Sequence, residues 1–452
     1  MRTVVLGKVL AMRFSAKWAA EMCAGSLIGA DTDIEGASFD SREIRPGEMF
    51  VAVFGARDGH EFVDQAGRSG ASAFLVSTSW AEHAGRSIAV PMIAVDDTVT
   101  ALGSIATKAR AKFEGPVIGI TGSVGKTTTK ELVRIAVGSS MLVHSSEASF
   151  NNDLGVPVSI LRAPADADVM VLELGMRGFG EIARLCRIAG PTIGVVTAVA
   201  SAHSERVGGI EGVAKAKGEL IESLSANSLA VLNADDERVL AMKRLAAGSV
   251  LTFGTSPVAD VYLEAMDIGP TGCVSATVRT PWGAGALSMR VPGVHIAVDA
   301  AAAVAVAGSL GCDVSMVAAH LGEFAAVNGR MEVHHLDNGC TLLDDSYNAN
   351  PSSMIAAIRT LANVSAQNRI AVLGTMAEIS DSEREHKAIV AACVELGITV
   401  LALEDSPYPC ESVDVAKAVA AVRARGAGTA VLVKGSRAAK TERVVQALLA
   451  RG

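Results

Sequence analysis

Aromatic side chains are scarce in this chain: of 452 residues only 4% are Phe, Trp or Tyr. Its cores must therefore be built from aliphatic side chains. Cysteine is sparse and scattered. The seven are Cys23, Cys186, Cys273, Cys312, Cys340, Cys393 and Cys410, an odd number without a C-x-x-C pair. That pattern argues against a zinc site or a disulfide scaffold, and the cytoplasm is the expected compartment. Basic charge is not in excess. A formal net charge of −8 excludes a general nucleic-acid binder, which needs a cationic surface. It leaves room for small anionic ligands, which need only a few local cations and backbone N–H groups. No long block of like charge stands out.

Long hydrophobic runs are also missing. The first ten residues are apolar but hold Arg2 and Lys8, and no good signal-cleavage site follows. The chain could equally start at Met12. The alanine-rich run 297–308 is too short to span a membrane and carries Asp299, so it reads as a buried helix. No membrane partner is expected. There is no internal repeat and no low-complexity tract.

Half the residues are apolar, and a chain of this length divides into about two to four domains. Three regions separate. Residues 12–114 hold short apolar stretches divided by turns, with helical patterns near 15–23 and 98–113, and form a small α/β domain. Glu114-Gly115-Pro116 breaks the chain. Residues 115–328 alternate strand signals (117–121, 169–174, 193–197, 229–233) with helices, the rhythm of a largely parallel sheet. Between 261 and 291 the pattern changes to strand-like alternation, predicting an antiparallel edge. Residues 329–452 repeat the alternation, with strands near 341–343, 370–373, 400–403 and 430–433, and form a smaller doubly wound, Rossmann-like α/β domain.

The strongest motif is Gly122-Ser123-Val124-Gly125-Lys126-Thr127-Thr128, between the apolar strand 117–121 and a helix. Backbone N–H groups in such a turn cradle phosphate oxygens, and the positive end of the helix adds to the attraction. Lys126 would reach the β- and γ-phosphates, and the Thr127 hydroxyl would ligate Mg²⁺. Ile120 stands where the longer form of the motif has glycine, so this is the shorter variant. It predicts a nucleoside triphosphate without specifying a reaction.

Other residues are odd as structure. Glu173 ends an apolar strand, where a carboxylate is costly unless it is paired or metal-bound. The choices are a Mg²⁺ ligand or a salt bridge. His203 follows the strand 193–197, but a single histidine by spacing indicates little. Lys215 and Lys217 read as the solvated face of a helix. In Phe150-Asn151-Asn152-Asp153-Leu154-Gly155-Val156-Pro157, the paired amides could bind phosphate or substrate, or merely make a turn. Asp344-Asp345-Ser346-Tyr347-Asn348-Ala349-Asn350-Pro351 could contact nucleotide or substrate, or cap the next helix. Gly329-Arg330 and Lys434-Gly435-Ser436-Arg437 add cations at other element ends.

Taken in order, these segments resemble the Mur ligase family over nearly the whole chain. Asp40-Ser41-Arg42, Pro46–Ala52 and Asp58-Gly59-His60 are similar to its uridine-nucleotide-binding first domain. The segments at 150–157 and 344–351 are similar to the branch that adds D-alanyl-D-alanine. The resemblance implies three domains: a UDP-substrate-binding domain with contacts at Ser41 and Arg42, a central P-loop ATPase domain, and a C-terminal domain closing on ATP and the incoming dipeptide. It implies ATP and Mg²⁺ as cofactors, and UDP-N-acetylmuramoyl-tripeptide and D-alanyl-D-alanine as substrates; a monomer is the default expectation. It assigns Glu173 and His203 to magnesium, and Lys217 to the lysine that is carbamylated and serves a second Mg²⁺. His295 falls in the adenine-contacting segment. Arg330 and Asp345 would meet phosphates or ribose. Asn151, Asn152, Tyr347, Asn348 and Asn350 would face substrate. The implied reaction forms an amide through an acyl phosphate. Ile296 and Asp299 depart from the family's usual asparagines, and Ala198, Ser204 and 378–380 also deviate.

Overall fold

The computed structural model describes residues 12–83, 89–147, 149–200, 204–377, 379–404 and 406–450. It is an α/β protein of three domains, each built on its own sheet. The first sheet has five strands in the order Ser26–Ile28, Met92–Val95, Ala73–Ser77, Met49–Val51, Ala37–Ser38. All neighbours are parallel except the first pair.

The second sheet has nine strands, and the chain enters it at Val117–Thr121. On one side lie Val169–Glu173 and then Val143–Ser145. On the other lie Ile193–Val196, Leu229–Asn233 and Ser249–Gly254, all parallel. The chain therefore reverses its winding direction around Val117–Thr121. In an open parallel sheet that switch point opens a crevice at the carboxyl ends of the strands. Val261–Ile268 joins Ser249–Gly254 in parallel, and Val274–Thr280 and Gly283–Ser288 follow it as an antiparallel edge, where alternation in the sequence predicts one.

Two helices hold the crevice rigid. Lys126–Gly138 starts directly from the glycine turn, and Val294–Ser309 packs along it. From Ala300 to Ala307 every side chain of the second helix is buried. Small alanines let it lie close to its neighbours, so burial comes from contact on all sides and not from one apolar stripe. Among the described residues, no helix is long and apolar enough to cross a membrane.

The third sheet orders Glu332–His335, Thr341–Asp345, Thr429–Lys434, Asn368–Leu373, Thr399–Leu403 and Ser412–Val413. Only the first strand is antiparallel. Thr341–Asp345 and Thr429–Lys434 end side by side, facing the crevice of the central domain.

One segment needs correction. The turn expected over 150–157 stops early: Gly155–Leu161 is a helix, with Pro157 in its first turn and every side chain buried. Proline is tolerated there because the first-turn N–H groups have no intrahelical acceptor.

Candidate active site

The glycine turn is shaped by close contacts. Gly122 and Gly125 both have positive φ, 158° and 82°. A Cβ on Gly122 would lie 1.8 Å from Thr197 Oγ1, so only glycine fits where the turn crosses the next strand. Thr197 in turn donates to the Val124 carbonyl at 2.5 Å. Ser123 donates to the Ala200 carbonyl at 3.1 Å and accepts from the Ala200 N–H at 2.9 Å. The loop is thus held to the end of strand Ile193–Val196, with its helix pointing its N-terminus at the crevice.

Lys126 donates to the Gly122 carbonyl at 2.8 Å, folding back over its own loop. Burial pushes its ammonium below the usual lysine range, while Glu173 opposes that shift. Glu173 is 1% exposed. Its two oxygens accept from the Thr127 hydroxyl at 2.7 Å and from the Asn151 amide at 2.8 Å. A buried carboxylate held, among the described residues, by a hydroxyl and an amide offers hard oxygen donors that suit a divalent ion.

Lys217, on the helix Ile210–Glu222, is 3% exposed. The solvated reading holds for Lys215 and fails for Lys217. Burial, then repulsion from Lys126, pushes Lys217 well below the usual lysine range, so its amine is disposed to be neutral. His203 and Glu378 lie outside the described residues.

The crevice is a cavity of about 700 Å³ between the central and C-terminal domains. From the central domain it is lined by Ser123, Val124, Gly125, Lys126, Thr127, Thr128, Asn151, Glu173 and His295. Burial pushes His295 down to about 4, leaving it neutral at physiological pH. From the C-terminal domain come Arg330, Asp345, Tyr347, Asn348, Asn350 and Lys434. Lys434 is paired with Asp345 at 2.6 Å and donates to the Asn348 carbonyl at 2.8 Å. The Arg330 guanidinium lies 4.2 Å from the Tyr347 ring centre. Asn350 caps the helix Pro351–Asn363 in a reciprocal bond pair with Ser353, so its side chain is engaged in structure at the cavity wall.

Three predicted contacts are not brought to this cavity. Asn152 is exposed and accepts from the N–H groups of Leu154 and Gly155, a turn-making role. Ser41 and Arg42 belong to the first domain. Ser41 is buried, and Arg42 is exposed and paired with Asp40 at 2.5 Å. Residues not singled out in the sequence do line the cavity: Asn233, Asp235, Thr255, Arg359, Thr360 and Asn363. Asn233 and Asp235 stand at a strand end, a signal that could have found them. Arg359 and Asn363 come from a helix of the other domain, which no local pattern reveals.

The two departures are buried at 3% and 7% exposure, Ile296 and Asp299 respectively. The Asp299 carboxyl oxygens stand 2.8 and 3.0 Å from where a Cβ on Gly125 would sit. Burial pushes this carboxyl up to about 8, so at neutral pH it keeps its proton and can donate, as an asparagine amide does. The unfolded chain releases that proton near 3.8, whereas the folded chain holds it to about 8. Stability should therefore fall as pH rises across that window, by at most about 1.4 kcal/mol per pH unit. Asp299→Asn is expected to lack this slope in urea midpoints measured across the window. Equal slopes in both proteins would mean that Asp299 ionises normally.

Comparison with known proteins places the site in context. Residues 120–307 match the Mur ligase middle domain, and residues 329–451 match the Mur ligase, glutamate ligase domain. The UDP-N-acetylmuramoyl-tripeptide--D-alanyl-D-alanine ligase of Escherichia coli is 35% identical over 444 residues, covering 95% of this chain and 96% of that one. The Bacillus subtilis ligase of the same name is 32% identical, covering 80% and 79%. Among solved structures, MurF from Acinetobacter baumannii superposes with a TM-score of 0.87 at 25% identity, covering 97% of this chain and 99% of that one. MurF from Thermotoga maritima, in complex with ADP, gives 0.77 at 28% identity, covering 91% and 96%.

Proposed function

Because the chain belongs to the Mur ligase family, we propose that it is the ATP-dependent ligase joining D-alanyl-D-alanine to UDP-N-acetylmuramoyl-tripeptide. The observation that carries this reading is one cavity with a phosphate loop on its central-domain wall and Arg330 and Lys434 on its C-terminal wall. Supporting it is the length over which the chain matches ligases of that name. The chain is read as a monomer, since a single copy supplies both walls, and as cytoplasmic, where ATP and nucleotide-linked precursors are found.

The chemistry needs a leaving group on a carboxylate. The terminal carboxylate of the tripeptide attacks the γ-phosphorus of ATP, the P–O bond to ADP breaks, and an acyl phosphate forms. The amine of D-alanyl-D-alanine then attacks the acyl carbon, loses a proton, and inorganic phosphate departs. The residues' task is positioning and charge neutralisation. The turn 122–128 holds the triphosphate by its N–H groups, and Lys126 meets the charge on the transferring phosphoryl group. Thr127 and Glu173 would hold Mg²⁺, with His203 and a carbamylated Lys217 assigned to magnesium by family resemblance. When bound, the ion would neutralise phosphate oxygens. His295 lies along the nucleotide, with Ile296 offering an apolar contact in place of an amide. Arg330 and Asp345 face phosphate or ribose. Asn151, Tyr347, Asn348 and Asn350 are assigned to the acceptor end, and Ser41 and Arg42 to the uridine nucleotide. Closure of the C-terminal domain over the crevice would keep water from the acyl phosphate.

Purified protein with ATP and Mg²⁺ should release phosphate only when both UDP-N-acetylmuramoyl-tripeptide and D-alanyl-D-alanine are present, with the pentapeptide precursor as product. Folded, ATP-binding protein that releases none, with either a lysine- or a diaminopimelate-containing tripeptide, would refute the assignment.

A further inference from the structure

Tyr347 lies where three parts of the site meet. It follows the strand Thr341–Asp345 of the third sheet, yet its hydroxyl shares a hydrogen bond of 2.7 Å with Ser149 of the central domain, 198 residues away in the chain. Two residues beyond Ser149, the Asn151 amide holds Glu173 at 2.8 Å. The ring of Tyr347 also carries two cations: the guanidinium of Arg330 at 4.2 Å from its centre and that of Arg437 at 5.5 Å. A ring face attracts a guanidinium through its quadrupole, and the attraction survives loss of the phenolic oxygen. The two functions of this side chain are thus separable. The ring stations arginines from the C-terminal domain at the cavity, and the hydroxyl ties that domain to the arm bearing Asn151.

We propose that Tyr347 is a positioning residue for the ligase reaction: its hydroxyl, through Ser149, locks the seated C-terminal domain to the segment that orients Glu173, while its ring aims Arg330 into the same cavity. The role goes beyond any contact with substrate and rests on the ligase reading above. A hydroxyl pair spanning two domains forms only when both are correctly placed, so it reports and stabilises the arrangement in which phosphate loop, Glu173 and Arg330 face one another. Nothing in packing demands the oxygen, because phenylalanine would fill the same space.

The test compares Tyr347→Phe, Ser149→Ala and the double variant with the wild-type chain. Each single variant should lower kcat by about tenfold, the worth of one neutral hydrogen bond made at the reacting arrangement. ATP affinity should stay within about twofold, since the arginines keep their ring. The double variant should be no worse than either single one, because both remove the same bond. Hydrogen exchange of the backbone amides of 149–155, measured without substrates, should quicken equally in all three. Wild-type kcat in Tyr347→Phe, additive losses in the double variant, or unchanged exchange would overturn the proposal. So would a rise confined to KM for D-alanyl-D-alanine, the mark of a substrate contact alone. If the wild-type chain releases no phosphate with these substrates, the ligase reading fails, and the exchange measurement still decides the lock.

Discussion

Lys126→Met should lower kcat by about 10²–10³-fold, the usual cost of removing one preorganised charge from a developing oxyanion. Methionine keeps most of the side-chain stem, so the comparison isolates the ammonium. Among the described residues, that ammonium donates to the loop it belongs to, at the Gly122 carbonyl, 2.8 Å away. Burial works against its charge and Glu173 works for it, so the charge is held ready at an energetic cost to the folded protein, and no ion pair to it is formed among the described residues. Its removal should therefore leave the fold and the urea midpoint nearly unchanged. The loop's N–H groups, fixed by Thr197 and Ser123, should still bind nucleotide. A steady-state assay at saturating ATP, alongside direct nucleotide binding, separates the two effects. Turnover within about tenfold of wild type would remove Lys126 from the phosphoryl-transfer step.

The parts of this site that can be read from sequence are those in which one short segment carries the whole signal. Val117–Thr121 is a short, mostly apolar strand that ends in a glycine turn and continues as a helix, and the structure places each where the pattern does. Glu173 is conspicuous for a similar reason, as a charge at the end of an apolar strand. Legibility fails where the information is not local. Lys215 and Lys217 look alike in sequence, but two residues along a helix point different ways. Lys217 sits beside the apolar stripe of Val213, Ala216 and Leu220 and is buried with it, while Lys215 is exposed. The strand Val143–Ser145 is short and half polar, as sheet-edge strands can be, and so leaves little pattern. Asn350 illustrates a choice that sequence leaves open between cap and contact. The structure shows the cap, placed at the wall of the cavity. Arg359 and Asn363 reach the site only because two domains meet there.

A buried ion network joins the apolar packing that seats the first domain on the second, and Arg162→Met should destabilise the protein by about 3–5 kcal/mol, the cost of leaving a buried charge without its partner. Arg162, at the end of the helix Gly155–Leu161, is 8% exposed. It grips Glu48 of the first domain with two donors at 2.7 and 3.0 Å and reaches Glu147 at 2.9 Å. Arg45, also of the first domain, closes the network on Glu147 at 2.5 Å. Glu48 is only 1% exposed, and Arg162 is its only ion-pair partner among the described residues. Losing Arg162 strands the Glu48 carboxylate in a dry interface, whereas losing Arg45 should cost far less, because its own side chain is largely exposed. The double variant Glu48→Leu/Arg162→Met, which removes both charges, should recover much of the loss. Urea unfolding of the three proteins gives the comparison. A loss below about 1 kcal/mol in Arg162→Met would mean that water reaches the pair and that apolar packing alone seats the domain. A loss of the expected size, restored in the double variant, would identify desolvation of Glu48 as its cause. The same variants would then test whether the interface matters for catalysis, since the network ends at Glu147, two residues before Ser149 in the arm that carries Asn151 and, through it, Glu173.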